Sequence, residues 1–327
     1  MRTGMFTAAA ISAAMSAAFA AATPTMAQTL TIGTSPQGSS NYALGNAIGK
    51  VMGDVAKMKV RVVPYGGGQK ILPSIDAKRF DFMLASSTDA FFAYNGKGEF
   101  EGKPTKNLRA IGVPLTYYLS WFVRNDAPYK SIKDLKGKKV AVGYNANVSQ
   151  RRSVLSQMAA AGLKESDFDG VKVPHVVRGA EDLAQGKIEA TSFAVGAGKV
   201  AEINAKVAGG IRYLNFPTDA DSIKRMREFM PMGGVKLIQP APNLVGIVGP
   251  TNVQTEDYVV VSGAHVSNEV AYQVAKILVE NQADLKKVNR QFGRYDVKEV
   301  PTDLGVPFHD GAIKYFKEKG MWPPKKK

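Results

Sequence analysis

The sequence predicts an α/β protein built as two similar lobes that face one cleft. The leading reason is a pattern that occurs twice. A strand ending in glycine runs into a polar loop of small residues and a helix, and further on a short helix leads into a second strand. The first copy starts at Leu30-Thr31-Ile32-Gly33, continues through the loop Thr34 to Asn41, and resumes over Ile71 to Asp89. The second starts at Val140-Ala141-Val142-Gly143, continues through Tyr144 to Gln150, and resumes over Gly179 to Gly196. In each copy the strand ends and helix N-termini would present backbone N–H groups to a small ligand. A second reason is size, because a chain of 327 residues exceeds what one small core usually organises.

The N-terminus indicates export. Arg2 is the only charge before an Ala-rich apolar stretch from Met5 to Ala22, and Thr25-Met26-Ala27 matches what a signal peptidase reads. A leader over residues 1–27 and a mature start at Gln28 are expected. The alanine-dominated composition and nearby Pro24 argue against a retained anchor. The chain has 0 Cys, which excludes disulfides, a thiolate nucleophile, cysteine metal sites and a lipid-modified cysteine. An exported protein without that anchor needs an outer membrane to retain it, so the periplasm of a Gram-negative bacterium is the expected compartment.

The formal net charge is +15. Such basicity could attract anionic substrates, an anionic membrane surface or nucleic acid. The cations are scattered apart from Lys136-Gly137-Lys138-Lys139 and Lys325-Lys326-Lys327, with no basic stripe interleaved with aromatics. Nucleic acid is not expected as a partner. A solubilising surface is the plain reading, and among ligands an anion is favoured.

Along the chain, Ser39-Ser40-Asn41 can cap a helix from about Tyr42 to Val55, whose Leu44, Ala47, Ile48 and Val51 share one face. Val60 to Val63 alternates as a strand. Gly66-Gly67-Gly68 opens a helix carrying Ile71, Leu72 and Ile75, and triple glycine there allows close approach to a negative group. It is not a nucleotide loop, because the Lys-Ser/Thr pair is missing. Tyr117 to Arg124 is strongly strand-forming. Ser131 to Leu135 makes a short helical turn, Val173 to Val177 a strand, and the Arg225–Arg227 region an exposed helix. Pro231 to Pro242 is read as irregular, returning to the first lobe at Leu244-Val245-Gly246-Ile247-Val248. Val259 to Ser262 is a strand, Ser267-Asn268-Glu269 caps a helix, and a last helix runs from about Gly311 to Lys319. The expected division is lobe 1 over 28–119 and 244–327, and lobe 2 over 120–243, with a crossing near Leu119.

Ser131 to Gly143 resembles the segment that opens the second lobe of many type II periplasmic binding proteins. Gly33-Thr34 with Gly38-Ser39-Ser40-Asn41-Tyr42, Asp81 to Gly96, and Pro307-Phe308-His309-Asp310-Gly311-Ala312-Ile313-Lys314-Tyr315-Phe316-Lys317-Glu318-Lys319-Gly320 are more specific. Together they resemble the TAXI family of solute-binding proteins that serve TRAP transporters, across essentially the whole mature chain. The resemblance implies capture of a small organic anion, a carboxylate or an amino or keto acid. It also implies delivery to an integral-membrane TRAP permease driven by an ion gradient, by a monomer without cofactors. An ABC-transporter binding protein and a ligand-presenting sensor are the alternatives. The chain carries Ser87-Thr88-Asp89 where family members often have Gln-Ser-Asp, and Asn145-Ala146-Asn147-Val148-Ser149 where they are often Gly-Ser-Gly rich.

The repeat and the resemblance together predict a cleft built by four loops. Ser35, Ser39, Ser40 and Asn41 supply hydroxyls, an amide and a helix N-terminus, while Gly67 and Gly68 supply backbone N–H groups. Ser87, Thr88 and Asp89 cap the third strand. From the other lobe, Asn145, Asn147, Ser149 and Gln150 mirror the first loop, and Phe193 and Gly196 end the paired strand. Taken singly, a Ser or Asn is more often a cap or turn residue. Convergence at matching strand ends is what marks these as a site. Arg151 is the candidate counterion for a ligand carboxylate, ahead of Arg152 because it is nearer the loop. Tyr117 is the aromatic candidate where the strand crosses. His175, His265 and His309 are dispersed without metal-ligand spacing, and no nucleophile elbow or metalloprotease helix occurs. Asp81 and Glu189 hold equivalent repeat positions in opposite lobes, at the wrong strand ends for a catalytic pair. An enzyme is not expected.

Overall fold

The computed structural model describes residues 29–326, so the expected leader and its cleavage point lie outside the described residues. The first repeat folds as β1 (Leu30–Thr34), α1 (Ser40–Ala56), β2 (Val60–Pro64), α2 (Gly68–Asp76), β3 (Phe82–Ser86) and α3 (Ser87–Asn95). A long strand, β4 (Leu108–Arg124), leads to the second repeat. That repeat is β5 (Lys139–Gly143), α4 (Val148–Ala160), β6 (Asp169–Val173), α5 (Val176–Ala184), β7 (Ala190–Ala194) and α6 (Gly198–Lys206). Then come β8 (Ile211–Tyr213), α7 (Ala220–Phe229), β9 (Gly234–Ile238) and a second long strand, β10 (Thr251–Gly263). The chain closes with α8 (Asn268–Glu280), α9 (Gln282–Val288), β11 (Thr302–Asp303), α10 (Asp310–Glu318) and β12 (Lys325–Lys326).

Local chemistry sets the helix starts. Ser39 Oγ accepts the Tyr42 N–H at 3.2 Å, so Ser39 alone caps α1, and Ser40 and Asn41 fall in its first turn. Ser86, Asn147 and Ser267 cap α3, α4 and α8 in the same way. The strand expected over Val173 to Val177 ends at Val173. Pro174 has no N–H to donate, and the His175 ring accepts the Arg178 N–H at 3.3 Å, which starts α5 at Val176. Inside the segment read as irregular, Gly234–Ile238 forms β9 along β10. The basic helix α7 is not simply solvated, because Arg225 donates to the Ala159 and Ala160 carbonyls at 2.8 and 3.0 Å and satisfies the end of α4.

The strands order as β2-β1-β3-β10-β4-β7-β5-β6, with β8 also on β4 and β9 also on β10. On each side the three repeat strands are parallel (β2-β1-β3 and β7-β5-β6), and between them β4 and β10 run antiparallel to each other and to their neighbours. The repeat read from sequence is thus a topological one, β1 corresponding to β5 and β3 to β7.

Two hydrophobic clusters flank the β4–β10 pair. The first holds Leu44, Ile48, Ile71, Phe82 and Phe316, together with Tyr117 and Leu119 of β4 and Tyr258 of β10. The second holds Val140, Val154, Leu183 and Phe216, together with Tyr118, Trp121 and Phe122 of β4 and Val253 of β10. Leu244, Val245 and Ile247, expected in the first lobe, pack with the second cluster. The return happens later, along β10 between Val253 and Tyr258, because that strand and not the turn before it spans both clusters.

Helix α10 lies directly on α8 at Gly311, where an added methyl would stand 2.1 Å from the Asn268 carbonyl oxygen and 2.9 Å from the Tyr272 nitrogen. Both are backbone atoms and cannot rotate away. Gly311→Ala is therefore expected to destabilise the fold by about 2–3 kcal/mol. Urea unfolding should show a lower midpoint with an unchanged slope, and an unchanged midpoint would contradict this packing.

Candidate functional site

A cavity of about 80 Å³ lies between the repeats, at the C-terminal ends of their parallel strands. The first repeat contributes Ser35, Ser39, Ser40 and Asn41 from the β1–α1 turn, Gly68 from the start of α2, and Asp89 from α3. The second contributes Asn147, Ser149 and Gln150 from the start of α4, and Phe193 from β7. Tyr117 closes the wall from β4. Sequence reasoning missed Met83, Leu84 and Ser86 at the end of β3, Ser153 and Val176 on the second repeat, and Leu119, Ala194 and Tyr258 on the central strands. Ser153 carried a usable signal, since it lies three residues after Gln150 and so on the same helix face.

Six expected residues stand off the lining. Gly67 caps α2 just behind Gly68, and a methyl there would lie 2.8 Å from Asn147 Oδ1 of the facing repeat. Ser87 Oγ and the Thr88 backbone N–H donate to Glu256 on β10, at 3.3 and 2.7 Å. Asn145 is exposed, because the turn puts Asn147 and not Asn145 at the cap of α4. Gly196 offers its carbonyl to Gln291 Nε2 at 3.4 Å. Arg151 points outward, its side chain 48% exposed and 3.3 Å from Glu165. The correction is one of helical phase. Gln150 and Ser153 fix the inward face of α4, and Arg151 lies about 100° around from Gln150.

The lining is organised by side chains that bind the chain to itself. Asn41 Oδ1 accepts the Ser35 N–H at 2.8 Å, and its Nδ2 donates to the Leu84 carbonyl at 2.6 Å, fixing the β1–α1 turn to β3. Ser40 Oγ accepts from Gln291 Nε2 at 2.9 Å. Gln150 Nε2 reaches Ser192 Oγ at 3.5 Å. Ser149 Oγ is buried at the wall without a hydrogen-bond partner among the described residues. Helices α1, α2 and α4 present their N-terminal turns here, and those turns favour negative charge.

Arg152, the neighbour sequence reasoning ranked second, holds the two sides together. It is 8% exposed, and its guanidinium crosses from α4 to the Asp89 and Glu99 carboxylates of the other repeat. Its carbon also lies 5.1 Å from the Phe92 ring centre. Burial opposes the arginine charge, but Asp89 and Glu99 outweigh it and hold its pKa above the ordinary value. Asp89 is the charged side chain of the lining, so the cavity meets it already paired. Behind Asp89, Tyr117 donates to Glu256 Oε2 and stacks on Tyr258 with ring centres 4.0 Å apart. Gln69 Nε2 adds a contact of 3.5 Å to the Ala146 carbonyl across the gap.

No histidine lines the cavity. His175 caps α5, His265 lies 3.2 Å from Asp81, and His309 caps α10. Asp81 accepts from the Thr31 N–H and hydroxyl at 2.7 and 2.8 Å, far from the cleft, and Glu189 accepts from Tyr129.

A match to the NMT1-like family runs over residues 32–320, almost the whole described chain. The chain belongs to that family. Among solved structures, this NMT1-like protein is similar to one described as a periplasmic transporter, at 15% identity over 90% of this chain and 93% of that one, with a TM-score of 0.53. It is similar to PhnD1 from Prochlorococcus marinus, solved in complex with methylphosphonate, at 13% identity over 90% of this chain and 96% of that one, with a TM-score of 0.51. ArtJ of Geobacillus stearothermophilus, an arginine-, lysine-, histidine-binding protein, gives 13% identity over 82% and 97% and a TM-score of 0.50. The fold is the two-lobed α/β fold of periplasmic binding proteins.

Burial raises the Glu256 pKa above its ordinary value of 4.5, against the hydrogen bonds from Thr88 and Tyr117 that favour the carboxylate. A carboxyl raised in the folded state contributes stability that is complete below its unfolded pKa and is lost as pH rises through the folded one. The wild type should therefore lose stability as pH climbs from about 4.5 through the raised pKa, and Glu256→Gln should lose less. Denaturant unfolding across that range checks this, and parallel curves for the two proteins would contradict it.

Proposed function

We propose that the protein is an exported receptor that captures a small organic anion between its lobes and hands it to a membrane permease. The observation that carries this is the convergence of helix N-termini, hydroxyls and amides from both repeats on one cavity. Backbone N–H groups at helix starts suit a carboxylate or a similar oxyanion without a lysine or arginine in the lining. The ligand class is a carboxylate or an amino or keto acid of compact size, and the contacts proposed for it are those of Ser35, Ser39, Ser40, Gly68, Ser149 and Gln150.

The motion proposed for capture and release is separation of the lobes about β4 and β10, the two long strands that join them. The Arg152 pairs then act as a clasp on the closed form. Membership of the NMT1-like family and the fold shared with periplasmic proteins support export to the periplasm. Among the described residues no helix is long and apolar enough to cross a membrane. The resemblance of Pro307–Gly320 to TAXI proteins supports a TRAP-type permease driven by an ion gradient. The fold serves an ATP-driven ABC permease equally well, and co-purification with one or the other membrane complex separates the two. No nucleophile–base pair or histidine in the cavity supports an enzymatic reading.

The test is a thermal-shift screen of mono- and dicarboxylates, amino acids, keto acids, sulfonates and phosphonates. At a free concentration about a hundred times its dissociation constant, the true solute should stabilise the fold by about 2.7 kcal/mol, read as a melting point several degrees higher. Ser149→Ala should weaken that solute about fivefold, by removing an otherwise unpartnered hydroxyl at the wall. Hits confined to uncharged or purely cationic solutes would overturn the anion reading.

A further inference from the structure

The lobes meet at a second arginine, on the side of the central strands away from Arg152, and there the electrostatics are reversed. Arg294 follows α9 in the helical turn Arg290–Arg294, beside Phe292 and Tyr295 of the first cluster. It touches groups that belong with the second. Its guanidinium carbon lies 4.9 Å from the ring centre of Tyr118. A methyl on Gly196 would stand 3.1 Å from Arg294 Nη2 and 3.4 Å from the Asn243 carbonyl oxygen, so the guanidinium fills the seam. Both Nη atoms are buried and have no hydrogen-bond partner among the described residues.

The groove on one side is lined by Lys286, Lys287 and Arg290. The groove on the other carries Asp296 and Glu299 together with Lys236, and neither Nη atom of Arg294 has a hydrogen-bond acceptor among the described residues. Burial lowers the Arg294 pKa, in contrast to the raised pKa of Arg152.

The two arginines therefore respond oppositely to contact between the lobes. Arg152 gains two carboxylates across the seam. Half-buried Arg294 takes its two Nη groups out of water without gaining an acceptor, and buried charged donors left unpaired are unfavourable. We propose that Arg294 is a positioning residue that sets solute affinity from outside the cavity, by favouring separation of the lobes against the Arg152 clasp. This rests on the reading that the lobes move. The solute then binds a form that is a minority without it, and its apparent affinity is reduced by that fraction.

The test needs no solute. Because the chain has 0 Cys, spin labels can be placed through Lys50→Cys on α1 and Lys206→Cys on α6, both exposed. Interlobe distance distributions are then measured by pulsed electron resonance on protein freed of small molecules by denaturation and refolding. Arg294→Met keeps the apolar stem on Tyr118 and removes the charge. It should raise the ratio of short to long distances about tenfold. Arg294→Gln should act in the same direction, which guards against a packing fault peculiar to methionine, and Arg152→Met should lower the ratio.

A merely structural role for Arg294 would change thermal stability and leave the ratio alone. If Arg152→Met lengthens the distances while both Arg294 variants leave or lengthen them, the proposal for Arg294 falls and the moving-lobe reading stands. If one narrow distance persists in every variant, both fall.

Discussion

The antiparallel pairing of β4 with β10 is the constraint on which the other features depend. These two strands are the longest in the described chain, and each places buried side chains in both hydrophobic clusters, which β7 joins only through half-buried Ala194. Alternation along β4 does the rest. Tyr117 and Leu119 face the cavity, whereas Tyr118 faces the opposite side and meets Arg294 and Lys236. The candidate site and the second arginine contact are thus the two faces of one strand pair, and a change in the angle between the lobes must alter both.

The chain is strongly basic, yet its cleft carries no lysine or arginine in the lining. The arginine nearest to it is consumed by Asp89 and Glu99, and the carboxylate behind Tyr117 is held by Thr88, Ser87 and Tyr117 itself. The cavity's electrostatic character comes from oriented backbone and hydroxyl dipoles instead. Such dipoles are fixed by folding and need no reorganisation when a solute arrives. Net charge therefore says little about the site, and the +15 of the chain resides mainly on exposed side chains.

Features set by local chemistry were legible in the sequence. The repeat, the capping residues Ser39 and Ser267, and the glycine start of α2 all follow from neighbours a few residues apart. Features set by distant partners were not. Arg152 and Asp89 are 63 positions apart, and Thr88 and Glu256 are 168 apart, so no local pattern joins them. Arg151 was preferred for its closeness to the loop, where the 100° step of an α-helix decides the matter in favour of its neighbours. The N-terminal half of β4 carries Gly112 and Pro114, residue types that weaken a strand, so local pattern gives little sign of it. The register between β4 and β10 shifts beside them, between the pairs of Tyr258 and Val260, and this irregularity accommodates a proline without a ladder donor.

The most direct measurement of the central claim is native mass spectrometry of the mature protein, as isolated and after incubation with pooled carboxylates, sulfonates and phosphonates. The account predicts one small adduct per chain that disappears on denaturation and is identified as an organic acid. A chain mass that is the same under native and denaturing conditions, and that no pool increases, would contradict it.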